Sequence, residues 1–181
     1  FCRYTLSTVN AVHLTQLDYQ KGTIVSNLNN FTYDEITIGQ TANFSKTLTE
    51  DDLILFAAVS GDVNPVHLDP DFAATTMFGE RIGHGAWTGA VISAAIALEL
   101  PGPGTIYLGQ SLSFRAPVKV GDTITVTLEV IEKKEAKKFI TLSTLVVNQH
   151  NKTVAKGTSE VMAGTEKQSL PRPVLPAISI G

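Results

Sequence analysis

Cysteine is almost absent. The single Cys2 cannot close an intramolecular disulfide, which excludes a disulfide-stapled framework and fits a reducing, cytoplasmic setting. Long apolar runs are absent too. The most apolar window, AVISAAIALEL from Ala90 to Leu100, is far short of the roughly 20 residues that span a bilayer, so it reads as a buried helix and no membrane partner is expected. Positive charge is scarce. The 14 Lys and Arg against 17 Asp and Glu leave a net charge of -3, and the only cluster, EKKEAKK from Glu132 to Lys138, reads as a solvated hairpin end. No basic face suits a nucleic-acid backbone. The start of the chain lacks the charged-then-apolar layout of a signal peptide, so the three Asn-x-Ser/Thr matches at Asn30, Asn43 and Asn151 read as chance.

Several catalytic signatures are missing as well. The four histidines, at 13, 67, 84 and 150, stand without an HExxH pattern or cysteine partners, so no metal is predicted. No Walker-type loop, no GxGxxG after a strand and no G-x-S-x-G elbow occurs, and no cofactor is expected.

What is present is a chain of 181 residues, 43% apolar and 17% charged, long enough for one compact core. Residues 1 to 30 carry no sustained period and read as an unassigned N-terminal extension. Residues 165 to 181 hold Pro171, Pro173 and Pro176 and read as a Pro-rich tail or linker. The stretch between, 31 to 164, is the predicted domain. It opens with an alternating strand, ANFSKTL, and then Thr49-Glu50-Asp51-Asp52, a capping-box spacing ahead of a helix that stops at Gly61. Asp69-Pro70 caps a short second helix, and a long small-residue helix runs from about Gly85. Beyond Gly104 four strands follow, with turns at VKVGD, KKEAK and HNK, which predicts a meander of antiparallel hairpins. An antiparallel sheet curved around one buried helix is an α+β architecture of the hot-dog type, and the edge and face it leaves uncovered predict a homodimer or higher homo-oligomer.

The chemistry gathers in VSGDVNPVHLDP, Val59 to Pro70. Gly61 and Pro65 break regular structure, so a short bent loop is expected to present Asp62 and His67. A carboxylate beside an imidazole can jointly hold one water and move its protons. Taken alone, the Asp-x4-His spacing is weak and favours a turn cap and a packed histidine. Asn64 reads first as a turn residue. In GHGAWTGA, Gly85 at the head of the long helix offers a free amide to an oxyanion, although a tight turn explains it as well. Ser93, two turns on, faces the same way, and His84 between two glycines is more readily packed than catalytic.

The combination FAAVSGDVNPVHLDPDFAATTMFGERIGHG, the small-residue helix and LSFRAPVKVGDTITV resembles the MaoC-like (R)-specific enoyl-CoA hydratases over roughly Phe31 to Gly164. The resemblance implies that Asp62 and His67 are the catalytic pair holding the attacking water, that Gly85 supplies the oxyanion-hole amide, and that Ser93, with Asn64, contacts substrate. It reverses the plain reading for Asp62, His67 and Gly85 and leaves Ser93 and His84 open. The implied reaction is reversible hydration of a trans-2-enoyl-CoA to the (3R)-3-hydroxyacyl-CoA, within fatty acid metabolism, with CoA as part of the substrate. Other hot-dog thioester enzymes, an acyl-carrier-protein dehydratase or a thioesterase, and a non-catalytic dimerisation or CoA-binding module remain as alternatives. Leu53, Phe56, Met77, Phe78 and Trp87 are candidate acyl-pocket walls, and Arg115 a candidate for CoA phosphate. Finally, GPGTIYLGQSLSFRAPVKVGDT and TEKQSLPRPVLP resemble the N-terminal hydratase-like domain of bifunctional proteins in which a phosphate acetyl/butyryltransferase follows, which implies a fused acyltransferase domain beyond the tail.

Overall fold

The structure, a computed structural model, describes residues 26–178; Cys2, His13 and most of the expected N-terminal extension lie outside the described residues. Strands β1 (Asn27–Asn29) and β2 (Thr41–Thr47) lead into helix α1 (Glu50–Ser60). Thr49 caps α1 reciprocally: its hydroxyl accepts from the Asp52 amide at 3.1 Å, while the Asp52 carboxylate accepts from the Thr49 amide at 2.9 Å. Glu50, Asp51 and Asp52 place negative charge at the positive end of the helix dipole. The helix ends where Gly61 takes φ 77°, a left-handed conformation that glycine adopts without steric cost, and its amide returns to the Ala57 carbonyl.

The expected single bent loop is refined by the structure. Asp62 does lie in irregular chain, but His67 sits on a one-turn helix, α2 (Pro65–Leu68), because Pro65 occupies the first helical position, where no amide hydrogen is needed. Asn64 caps it, its side chain accepting from the Val66 amide at 3.2 Å. Asp69 then caps α3 (Pro70–Thr75) through the amides of Asp71 and Phe72.

Helix α4 (Gly85–Leu98) is the buried centre. Around it curves a five-stranded antiparallel sheet of β2, β3 (Ile106–Phe114), β4 (Thr123–Lys134), β5 (Phe139–Asn148) and β6 (Thr153–Met162), in the order β2-β4-β5-β6-β3. This corrects the meander. β4, β5 and β6 are successive hairpins, but β3 pairs with β6 at the far edge and not with β4. The VKVGD segment is therefore a crossover, not a hairpin turn, and on its way it binds the chain ahead of α4: Val118 accepts from the Gly83 amide at 2.7 Å, and Lys119 bridges to Ile82.

Alternation of apolar and polar residues along β4 and β5 directs Ile124, Val126, Leu128, Val130, Ile140, Leu142 and Val146 onto Trp87, Val91, Ile92, Ala95 and Ile96 of α4. Small residues let α4 approach closely: a Cβ on Gly89 would stand 3.1 Å from the Gln110 amide nitrogen of β3. Two short strands, β1 and β7 (Ser169–Pro171), pair beside the sheet. Asn30, 2% exposed, joins the two ends, donating to the Glu166 carbonyl and accepting from the Gln168 amide. Ordered packing thus reaches past the boundaries drawn at 31 and 164, and the first Pro of the expected linker, Pro171, ends a strand. Among the described residues no helix is long and apolar enough to cross a membrane.

Candidate active site

The capped turns bring His67 of α2 against His84 at the N-terminus of α4. His67 Nδ1 lies 2.8 Å from the Ile82 carbonyl oxygen, so that nitrogen carries the hydrogen and donates it, leaving the Nε2 lone pair free. Nε2 faces Asp62 Oδ2 at 4.0 Å, with side-chain exposures of 11% for His67 and 52% for Asp62. The other Asp62 oxygen is held by the Asn64 amide at 3.2 Å, which fixes the carboxylate's orientation. The sequence motif therefore performs two tasks: Asn64 spends its side chain on capping α2 and its backbone on aiming Asp62.

A gap of 4.0 Å is too long for a direct hydrogen bond and fits one bridging molecule. A water placed about 2.8 Å from both atoms subtends roughly a right angle, so it can donate one hydrogen to each. That gives the pair the geometry to bind, orient and deprotonate a single water.

Gly85 opens α4 at an exposed position, and the N-cap residue His84 makes no side-chain bond to the first turn. The Gly85 amide is thus left for an acceptor at the positive end of the dipole. A Cβ at residue 85 would meet the Phe114 ring of β3 at 3.3 Å, so glycine also keeps the ring against the backbone. Ser93 is half-buried two turns along α4, on the stripe that continues from Gly85 and Gly89.

Of the candidate pocket walls, Leu53 and Trp87 belong to the buried core, Phe56 packs against it, Phe78 is half-buried and Met77 is exposed. Phe56 also stands 5.1 Å from the His84 ring, beside the pair. Arg115 is exposed at the end of β3.

His84, left open by the sequence, is buried in the site, its Nε2 3.0 Å from the Asp62 carbonyl oxygen. The pattern Gly-His-Gly carries no sign of this, because the contact joins residues 22 positions apart through the crossover packing. Asp62, His67 and His84 each offer a potential metal-ligand atom within 4.8 Å of the others. His67 Nδ1 and His84 Nε2 already donate to carbonyls, however, and His84 Nδ1 is walled in. That leaves two ligand atoms, Asp62 Oδ2 and His67 Nε2, 4.0 Å apart, fewer than the three protein ligands of a catalytic zinc site.

Comparison with known proteins places the chain among relatives. Residues 34–152 match the MaoC like domain family. The chain is 45% identical over 130 residues to an (R)-specific enoyl-CoA hydratase of Rhodospirillum rubrum, covering 72% of this chain and 90% of that protein. It is 44% identical over 126 residues to the (R)-specific enoyl-CoA hydratase of Aeromonas caviae, covering 70% and 94%. The unliganded R-hydratase PhaJ1 from Pseudomonas aeruginosa superimposes with a TM-score of 0.83 at 55% identity, over 86% of this chain and 100% of that one.

Proposed function

The chain belongs to the MaoC-like domain family, and from that premise we propose that it is an (R)-specific enoyl-CoA hydratase, interconverting trans-2-enoyl-CoA and (3R)-3-hydroxyacyl-CoA. The observation that carries the reading is the 4.0 Å gap between His67 Nε2 and Asp62 Oδ2, with His67 Nδ1 pinned on the Ile82 carbonyl. The hydratase relatives, nearly all of whose length this chain matches, support it.

In this mechanism the thioester carbonyl accepts the Gly85 amide hydrogen, which stabilises the negative charge that develops on that oxygen. A water held by Asp62 and His67 adds its oxygen to C3. As that bond forms, one of the pair takes a water proton and the C2–C3 π electrons move toward the thioester oxygen. Return of a proton to C2 from the pair restores the carbonyl and both side chains. Because one water supplies both new bonds, addition is syn. The acid and base steps belong to the pair as a unit, since two close titrating groups share their protons. Ser93 is proposed as a substrate contact, as is the Asn64 side-chain NH2, which the capping bond through Oδ1 does not use, and Arg115 as a contact for CoA phosphate. No resident cofactor enters the scheme.

A second copy of the chain is part of the same proposal. Among the described residues β3 is an edge strand with Ile106, Leu108 and Phe114 exposed, and Phe114 adjoins Gly85, so that edge borders the site. A cytoplasmic setting and a place in fatty acid metabolism go with the reaction; the fused phosphate acyltransferase rests only on the likeness of the C-terminal segments.

The test is incubation of the protein with crotonyl-CoA, following loss of the conjugated enoyl absorbance and the configuration of the product. The expected product is (3R)-3-hydroxybutyryl-CoA. Free CoA as the product points to hydrolysis instead, and binding without turnover points to a binding module; either outcome rejects the proposal.

A further inference from the structure

His84 adjoins Asp62, His67 and Gly85 without taking part in the proton transfer. It is 2% exposed. Its Nε2 lies 3.0 Å from the Asp62 carbonyl oxygen, its ring stacks on the His67 ring with centroids 3.8 Å apart and planes at 30°, and its backbone immediately precedes the Gly85 amide as the cap of α4. A carbonyl oxygen can only accept, so Nε2 carries the ring hydrogen and Nδ1 is the bare nitrogen. That Nδ1 is buried with no hydrogen-bond partner among the described residues. An unsatisfied buried polar atom is costly, and a phenylalanine or leucine would fill the space without it, so packing alone does not account for a histidine here.

We infer that His84 is a positioning residue for the hydration, setting the Asp62 backbone, the plane of the His67 ring and the head of α4 in one fixed arrangement. This rests on the hydratase reading above. Two contacts do the work. Donation from Nε2 ties the Gly61 to Asn64 segment to α4, so the carboxylate and the Gly85 amide keep their spacing. The stacked ring face stops His67 from turning about its side-chain bonds, which holds Nε2 toward Asp62 Oδ2.

The experiment has a spectroscopic and a kinetic arm. In protein with 15N-labelled histidine, long-range 1H–15N correlations report which nitrogen of each ring bears the hydrogen. The expected result is Nδ1–H on His67 and Nε2–H on His84; hydrogen on Nδ1 of His84 overturns the inference. For kinetics, His84→Phe keeps a ring against His67 but loses the donor, whereas His84→Gln keeps an N–H donor but loses the ring. Both are expected to lower kcat for crotonyl-CoA by on the order of 10- to 100-fold with little change in KM, the signature of misplaced reacting groups. Folded variants, judged by circular dichroism, that keep the wild-type kcat overturn it. If the wild type hydrates and loses turnover in Asp62→Asn and His67→Gln but not in either His84 variant, this inference fails and the hydratase reading stands. A wild type without turnover removes the hydratase reading, and the inference with it.

Discussion

Two properties of Gly85 can be separated by substitution, because His84 ahead of it has φ −60° and ψ 135°. That is the extended conformation a following proline demands, and proline is favoured at the first position of a helix. Gly85→Pro therefore keeps α4 while removing the hydrogen of the proposed oxyanion donor, and it adds a Cβ against Phe114, as alanine does, together with the ring carbons that close on the nitrogen. Gly85→Ala keeps the hydrogen and adds the Cβ that meets the Phe114 ring. Loss of an oxyanion donor costs roughly 10² to 10³ in kcat, so Pro is expected to fall by that amount and Ala by clearly less, measured as crotonyl-CoA hydration. Equal activity of the two variants removes the amide from the mechanism. At this scale the sequence was legible in part. Asp62 and His67 stand out through the turn residues around them, but a spacing cannot show that Ile82, fifteen positions later, fixes the imidazole tautomer, nor that His84 stacks on it. Those contacts depend on tertiary packing.

Helix ends were the most readable elements, since capping chemistry is local. Thr49 with Asp52, Gly61 and Asp69-Pro70 mark boundaries that the structure keeps, whereas Asn64-Pro65, expected inside a bent loop, opens α2. The far end of α4 carries a feature that composition hides. Glu99 caps this end, half-buried, and burial raises its carboxyl above the ordinary range, with Arg172 pulling weakly the other way. Between the ordinary and the raised value the folded protein holds more protons than the unfolded chain, so this group's contribution to stability falls as pH rises through that window. A negative charge at a helix C-terminus adds about 0.5 kcal/mol of unfavourable interaction with the dipole. Glu99→Gln is expected to melt above the wild type at neutral pH, with the gap closing below roughly pH 4, where the carboxyl is protonated in both states. A gap independent of pH in thermal melts contradicts this account.

Over the whole molecule the strand order was the part that could not be read. Period-two alternation tells each strand which face to bury but not which neighbour to pair with, and the crossover through Val118 and Lys119 places β3 beside β6. That crossover also binds Ile82 and Gly83, so one long-range connection both sets the sheet order and seats the residues on which His67 and His84 depend. The structure thus explains why the two motifs, 62 to 67 and 83 to 90, form a single site although separate elements carry them. Phe114 of β3 adjoins Gly85 at the border of that site, on the edge strand where a second copy is proposed.

The central claim is that Asp62 and His67 act together on one water, and a double-mutant cycle in kcat/KM for crotonyl-CoA tests it most directly. Asp62→Asn preserves the acceptor for the Asn64 amide while removing the charge, and His67→Gln removes the imidazole. Each is expected to lower kcat/KM by about 10² to 10⁴. The double variant should fall no more than about tenfold below the worse single one, because a shared water is lost once. Losses that multiply in the double variant, or a single variant with wild-type turnover, would contradict a jointly held water.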